Sequence, residues 1–326
     1  MKTPYFVGLD VGGTTMKAGI VDDQGQPLAS VTLPTEAHRG QEFGLERMCE
    51  AIRQAIASAG LNLKQISAIG VATPGTMDIP AGLILDPPNL KPWRNVPVRD
   101  HIHKVFKLPT AFQNDANAAA FGEFWAGAGR DVNSLVLFTL GTGVGCGIII
   151  GDLVVQGQHS HGAEVGHMKI EISNPRQCGC GRWGCLEAYA SATSVVNRAN
   201  EALSPKGVKS KLRAYQNKEG GLTSRDIFDV AAEGDKLAEK IVEDTAFYLA
   251  VGATNMMHTI DPDMIVFGGG MMAAGDAFLE RIRKHVKELA FPVPAEKTII
   301  CYAQLGNDAG FIGAAACGRQ IFSRRN

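Results

Sequence analysis

The chain lacks an excess of charge of either sign: 32 Lys and Arg stand against 33 Asp and Glu in 326 residues, a formal net charge of -1. With no basic surplus to draw it to nucleic acid or to an anionic membrane surface, neither partner is expected, and small-molecule chemistry is the better expectation. An uninterrupted apolar run of membrane-spanning length is also missing. The longest uncharged run, Ser134 to Gly151, is broken by Gly141, Gly143, Gly145 and Gly147 and reads as two short buried strands. The N-terminus leads into Phe6-Val7-Gly8-Leu9-Asp10 without the three regions of a signal peptide, so the expected location is the cytoplasm. Disulfide spacing is absent. Cys49, Cys146, Cys301 and Cys317 are scattered, while Cys178, Cys180 and Cys185 cluster, a pattern that suits a reducing compartment.

Two familiar phosphate signatures are missing as well. No G-x-x-x-x-G-K-[ST] loop occurs. The turn Asp10-Val11-Gly12-Gly13-Thr14-Thr15 runs into the alternating segment Met16 to Val21, a strand pattern, whereas a dinucleotide loop must open a helix that holds the pyrophosphate. P-loop chemistry and hydride transfer both lose ground.

What is present reads as α/β. Strands are expected at Tyr5–Asp10, Met16–Asp22, Ile66–Ala72 and Thr110–Gln113, with helices at Glu42–Ala59 and, after Asn114-Asp115, at Ala116–Trp125. A second unit opens with Leu135–Leu140, a glycine turn and Cys146–Ile150. It repeats the first unit's layout of apolar strand, glycine- and threonine-rich turn, apolar strand and acidic turn (Asp22 or Asp152), as diverged copies do. Helical patterns run from Thr223-Ser224 to about Thr259, where Asp261-Pro262 stops them. Strand Met264–Phe267, helix Asp276 to Leu289 and an Ala- and Gly-rich helix Ala309–Ile321 follow. Small residues in that last helix allow a neighbouring backbone, or a nucleotide, to approach closely. The polar stretch from Ser204 to Arg225, with Lys206, Lys209, Lys211, Arg213 and Lys218, has few aromatics and reads as a solvated excursion. A chain of 326 residues exceeds the size of a single core, so two domains are expected: 1–115 with about 308–326 as a small α/β domain, and 116–307 as a larger one.

Backbone N–H groups and the Thr14 and Thr15 hydroxyls make the first turn a suitable anion cradle. Leu140-Gly141-Thr142-Gly143 offers a second, and Gly268-Gly269-Gly270 a third glycine cluster that opens a helix. Together they suggest two phosphate clamps and a nucleotide shelf. This order resembles the superfamily of actin, Hsp70 and sugar kinases. The resemblance implies a two-domain actin-like ATPase/hexokinase (ribonuclease H-like) fold closing on ATP at a cleft between the domains. It implies that Asp10 holds Mg²⁺, that Lys17 lies near the phosphates, and that Gly12, Gly13, Thr14, Thr15, Thr142, Gly143, Gly268, Gly269 and Gly270 contact the nucleotide.

The segment from Leu137 to Gly166, the run Gly162-Ala163-Glu164-Val165-Gly166-His167, and Cys178-Gly179-Cys180-Gly181-Arg182-Trp183-Gly184-Cys185-Leu186-Glu187 resemble the signature of the ROK family of repressors and sugar kinases. By residue chemistry, His167 with Cys178, Cys180 and Cys185 forms a three-sulfur, one-nitrogen set suited to tetrahedral Zn²⁺, and a filled four-ligand site is structural. It would fix the loop that carries His167 and Glu187. By the resemblance, Asn114, Asp115, Glu164, His167 and Glu187 ring a sugar, completed by Gly75 of Thr73-Pro74-Gly75 and by Asn89. Asp115 then accepts the hydroxyl proton during phosphoryl transfer from ATP, although an Asp before an Ala-rich helix also serves as an N-cap.

The implied activity is phosphorylation of a hexose at its 6-hydroxyl. Glu164 to His167 and Leu186-Glu187-Ala188-Tyr189-Ala190-Ser191-Ala192-Thr193 resemble the bacterial glucokinases of the family, which makes glucose the expected acceptor. N-acetylglucosamine and N-acetylmannosamine kinases, and fructokinases, are the alternatives. The family's repressors carry a helix-turn-helix ahead of the first phosphate turn, which here begins within the first ten residues, so a regulator is the less expected reading. The family also implies a homodimer or higher homo-oligomer.

Overall fold

The computed structural model describes residues 4–204, 208–216 and 218–324. Strands β1 (Tyr5–Val11), β2 (Thr15–Asp22) and β3 (Pro27–Pro34) form an antiparallel meander in which Asp10 lies opposite Lys17. Helix α1 (Gln41–Ser58) buries Leu45, Met48, Cys49, Ile52, Ala55 and Ile56, the single apolar face of a surface helix. Strand β4 (Ile66–Thr73) returns parallel to β1. A small hairpin, β5 (Met77–Asp78) with β6 (Leu83–Ile84), and helix α2 (Val98–Phe106) precede β7 (Thr110–Asn114), which pairs parallel to β4. Helix α3 (Asp115–Ala126) starts at the next residue.

The second series opens with β8 (Ser134–Leu140), β9 (Val144–Ile150) and β10 (Leu153–Val154). Helices α4 (Glu187–Ala190), α5 (Ala192–Leu203), α6 (Arg213–Gln216), α7 (Ser224–Ala232) and α8 (Lys236–Ile260) follow. The chain ends with β11 (Met264–Gly268), α9 (Asp276–Leu289), α10 (Pro292–Lys297), β12 (Ile299–Tyr302) and α11 (Ala309–Ser323). The sheet orders are β3-β2-β1-β4-β7 and β10-β9-β8-β11-β12. Each places a hairpin at one edge and later strands at the other, so the repeat visible in the glycine turns extends to whole sheets.

The chain divides into two compact units, Met1–Leu135 with Gly147–Ala163 and Gln304–Asn326, and Val136–Cys146 with Glu164–Ala303. In the first, side chains alternate along β1. Val7, Leu9 and Val11 join a core with Met48 and Ile52 of α1 and Ile102 and Phe106 of α2, whereas Phe6 packs on the other face against Phe311 and Ile312 of α11. Helix α11 sits directly on the strands there. A Cβ built at Gly8 would lie 1.7 Å from the Phe311 carbonyl oxygen, and one at Gly70 would lie 1.7 Å from that of Ala314. Close backbone packing therefore accounts for the small residues of this helix. In the second unit α8 is the hub, packed against α4, α5, α7 and α9.

Local signals explain several boundaries. Thr223 and Asp226 form a reciprocal capping box at the start of α7, and Asp261, left-handed at φ 51°, ends α8. The Gly268-Gly269-Gly270 cluster opens a five-residue 3₁₀ turn, Gly270–Ala274, rather than an α-helix directly, and the α-helix expected from Asp276 to Leu289 follows it at those bounds. The Ser204–Arg225 stretch contains α6 and a fully buried Leu212; Lys206 lies outside the described residues. Among the described residues no helix is long and apolar enough to cross a membrane.

Candidate active site and metal centre

In the first unit the turn after β1 is held by backbone bonds and by Thr35. The Gly12 N–H donates to the Thr15 carbonyl at 2.8 Å, the Thr35 N–H donates to the Thr14 carbonyl at 2.8 Å, and the buried Thr35 hydroxyl donates to the Gly12 carbonyl at 2.7 Å. Gly13, Thr14 and Thr15 stay exposed at the tip. Asn89 comes to the same place, its carbonyl oxygen 2.9 Å from where a Gly13 Cβ would be. Gly75, just past β4, has φ 91° and packs against Pro87.

Asp10 is the penultimate residue of β1, and Gly310 in the first turn of α11 presses onto it. A Cβ at Gly310 would lie 2.2 Å from Asp10 Oδ2. Burial, then the nearby Asp115 carboxylate, pushes the Asp10 carboxyl up to about 7, against the pull of Lys17. The structure thus brings together two carboxylates of the first unit that lie far apart in sequence. Two hard oxygen donors that repel each other suit a cation such as Mg²⁺.

The cap and the carboxylate fall to neighbouring residues. The Asn114 side chain is the N-cap of α3, accepting from the Ala116 N–H at 2.9 Å and the Asn117 N–H at 3.2 Å. Asp115 is the first helical residue, and its Oδ1 accepts from the Ala116 N–H at 2.8 Å. The capping role considered for Asp115 therefore belongs chiefly to Asn114.

In the second unit the Gly141–Gly143 turn closes through a Gly141 N–H to Gly143 carbonyl bond of 3.0 Å. Glu187 braces it: Oε2 accepts from the Val144 N–H at 3.0 Å, while Oε1 accepts from the Cys178 thiol at 3.3 Å. The Ala192 N–H at the start of α5 donates to the Gly141 carbonyl at 2.9 Å. Gly269, at φ 92°, lies against the Leu140 backbone, so the second turn and the third glycine cluster are neighbours. Glu164 opens the short turn Val165–His167, whose His167 N–H donates to the Glu164 carbonyl at 3.0 Å.

The ligand atoms of His167, Cys178, Cys180 and Cys185 all lie within 4.8 Å of one another. His167 Nδ1 is 3.8 Å from Cys178 Sγ, and the Cys180 and Cys185 sulfurs are 3.8 Å apart. Tetrahedral zinc with bonds of about 2.3 Å to sulfur requires sulfurs about 3.8 Å apart, so the set fits the ion. Burial pushes the Cys178 thiol up to about 12, with Glu187 adding to the effect; bound metal would remove that proton. Lys169, which composition and spacing did not single out, donates from Nζ to Cys185 Sγ at 2.9 Å.

Two further residues escaped sequence reasoning. Asp308, in the turn before α11, forms an ion pair with Lys17. Glu123 of α3, fully buried, accepts from the N–H groups of Ala128, Gln304 and Leu305. A signal for Asp308 did exist: the tripeptide Asn-Asp-Ala occurs at 114–116 and again at 307–309, each time beginning a helix.

A mixed α/β fold with a duplicated sheet order, paired glycine turns and an acid pair defines a protein of the actin-like ATPase and sugar-kinase class. Within that class the chain belongs to the ROK family, which it matches over residues 6–321. It is 34% identical over 313 residues to the glucokinase of Halalkalibacterium halodurans, covering 96% of this chain and 94% of that one. Among solved structures, the ROK hexokinase of Thermus thermophilus superposes with a TM-score of 0.85 at 30% identity, over 98% of this chain and 99% of that one. A ROK glucokinase of Streptomyces griseus, solved with glucose and AMPPNP, gives 0.78 at 32% identity over 97% and 99%.

Proposed function

We propose that the protein is an ATP-dependent hexokinase that transfers the γ-phosphoryl group of ATP to the 6-hydroxyl of glucose. The observation that carries this reading is the Asp10–Asp115 pair beside an exposed glycine turn, in a chain whose relatives and structural neighbours include glucokinases. The turn at Gly12–Thr15 and the Lys17 ammonium take the phosphate charge, and Thr142, Gly143 and Gly268–Gly270 take part in holding the nucleotide. Mg²⁺, which accompanies ATP, would be held by Asp10 and would neutralise phosphate charge there. Gly75, Asn89, Asn114, Asp115, Glu164, His167 and Glu187 form the sugar-binding set.

Asp115 is the base. With a reference pKa of about 3.9 an aspartate does not deprotonate a free alcohol. It accepts the proton as the 6-oxygen forms its bond to phosphorus and the bond to the β-phosphate oxygen breaks, leaving ADP and glucose 6-phosphate. Zn²⁺ would be held by Cys178, Cys180, Cys185 and Nδ1 of His167, a closed and therefore structural site. His167 keeps its other ring nitrogen for a sugar hydroxyl, and coordination fixes the tautomer. Cytoplasmic location and a homodimer complete the reading; fractionation and sedimentation velocity measure them.

The test is a coupled ADP-release assay with Mg·ATP across glucose, mannose, fructose, N-acetylglucosamine and N-acetylmannosamine. Preference for glucose supports the reading. Preference for an N-acyl sugar or fructose keeps base and metals but moves the acceptor, and no release with any sugar overturns the kinase assignment.

A further inference from the structure

Lys17 is restrained by groups far from it in sequence. It lies on β2 opposite Asp10, and its Nζ stands over the Phe311 ring at 5.4 Å from the centroid. The same ammonium forms the ion pair with Asp308, 291 residues away, with side-chain exposures of 26% and 40%. Asp308 is itself fixed from behind. Its N–H donates to the Leu305 carbonyl at 3.0 Å, and the Leu305 N–H donates to Glu123 Oε1 at 2.7 Å. Glu123 is fully buried, so this chain of bonds ends in the packed interior of the first unit.

A surface ion pair would by itself be worth little. This one acts on a flexible four-carbon side chain with three N–H donors and considerable rotamer freedom. Asp308 engages only part of that donor capacity, which leaves donors for an anion at the adjacent turn.

We propose that Asp308 is a positioning residue for the phosphoryl transfer: it holds the Lys17 ammonium beside the Gly12–Thr15 turn so that its other donors meet the phosphates of ATP. The inference rests on the kinase reading. Asp308 touches neither reactant; it acts through Lys17, and Glu123 acts through Asp308.

The test is a double-mutant cycle in steady-state kinetics with Lys17→Met, Asp308→Asn and the double variant of the full chain, each checked for its fold by thermal melting. Asp308→Asn is expected to lower kcat by about tenfold or more, the weight of a charge-assisted hydrogen bond, with KM for the sugar unchanged. On a Lys17→Met background the same change has no further effect. Equal losses from Asp308→Asn with Lys17 present or absent, or an unchanged kcat, overturn the proposal. Should Asp308→Asn fail to fold, Asp308→Ser, which keeps a residue favoured at helix starts, replaces it. Lys17→Met with full activity strikes instead at the phosphate role of Lys17 in the kinase reading, so the two failures are distinguishable.

Discussion

The two glycine turns share one layout, and each closes through its own backbone, yet the side chains that brace them differ in kind. The Gly12–Thr15 turn is fixed by its own backbone and the Thr35 hydroxyl, and its neighbours are ionisable groups: Asp10, Asp115, and Lys17 with Asp308. The Gly141–Gly143 turn also closes on its own backbone, but its brace is the Glu187 carboxylate, which accepts from the Val144 N–H and also reaches the cysteine cluster. The difference teaches how a duplicated scaffold divides labour. One copy gathers charged side chains beside its turn, while the other ties its turn through Glu187 to a Cys₃His cluster.

The sharpest way to break this comparison is Asp115→Ala. With chemistry confined to the first copy, kcat falls by about 10² to 10⁴, the usual weight of a general base, and glucose binding measured by calorimetry is largely kept. Wild-type turnover in this variant removes Asp115 as base.

The second copy is tested through its cysteine cluster. Cys180→Ser, or chelation of the wild type, is expected to lose zinc by elemental analysis and to weaken glucose binding severalfold or more. Normal sugar affinity in metal-free protein would uncouple the knuckle from the sugar side.

Asp10 sharpens the electrostatic half. Its carboxyl is raised from 3.8 to about 7 in the folded chain, so in the absence of metal the folded state binds more protons than the unfolded state between those values. Stability then falls as pH rises from about 4 to about 7 and is penalised above that. Asp10→Asn should therefore stabilise metal-free protein at pH 8, by about 4 kcal/mol at most, with the gain vanishing toward pH 4. Thermal or urea melts at both pH values measure it; a difference independent of pH contradicts the burial and repulsion assigned to Asp10.

The smallest effect expected is at Lys169→Met. Removing the donor to Cys185 Sγ should weaken zinc retention about tenfold, as losses of outer-shell partners do, and competition with a chromogenic chelator reads it directly. Unchanged retention would make Lys169 a bystander.

Much of this was legible from residues alone. The glycine turns announced themselves because glycine and threonine between apolar strands have few other uses, and the cysteine spacing marked a ligand set because three closely spaced sulfurs with a nearby histidine match the chemistry of a tetrahedral metal site. Strand β3 was not legible: it alternates half-buried and exposed positions between two prolines, the pattern of an edge strand that resembles a loop. Helix α2 carries only Val98, Ile102 and Phe106 as buried residues, a four-residue spacing too short to stand out.

The sequence by itself determined the inventory: an α/β chain with two glycine turns, a Cys₃His set, and Asn114-Asp115 at a strand-to-helix junction. Those features are local, set by residue types within a few positions of one another. Only the tertiary structure decided that Asn114 carries most of the cap, that burial and then Asp115 raise the proton affinity of Asp10, that Glu187 joins the second turn to the cysteine loop, and that Asp308 pairs with Lys17. Such pairings depend on how sheets and helices bring distant segments within a few ångströms, and electrostatic and hydrogen-bond energies act over just that range.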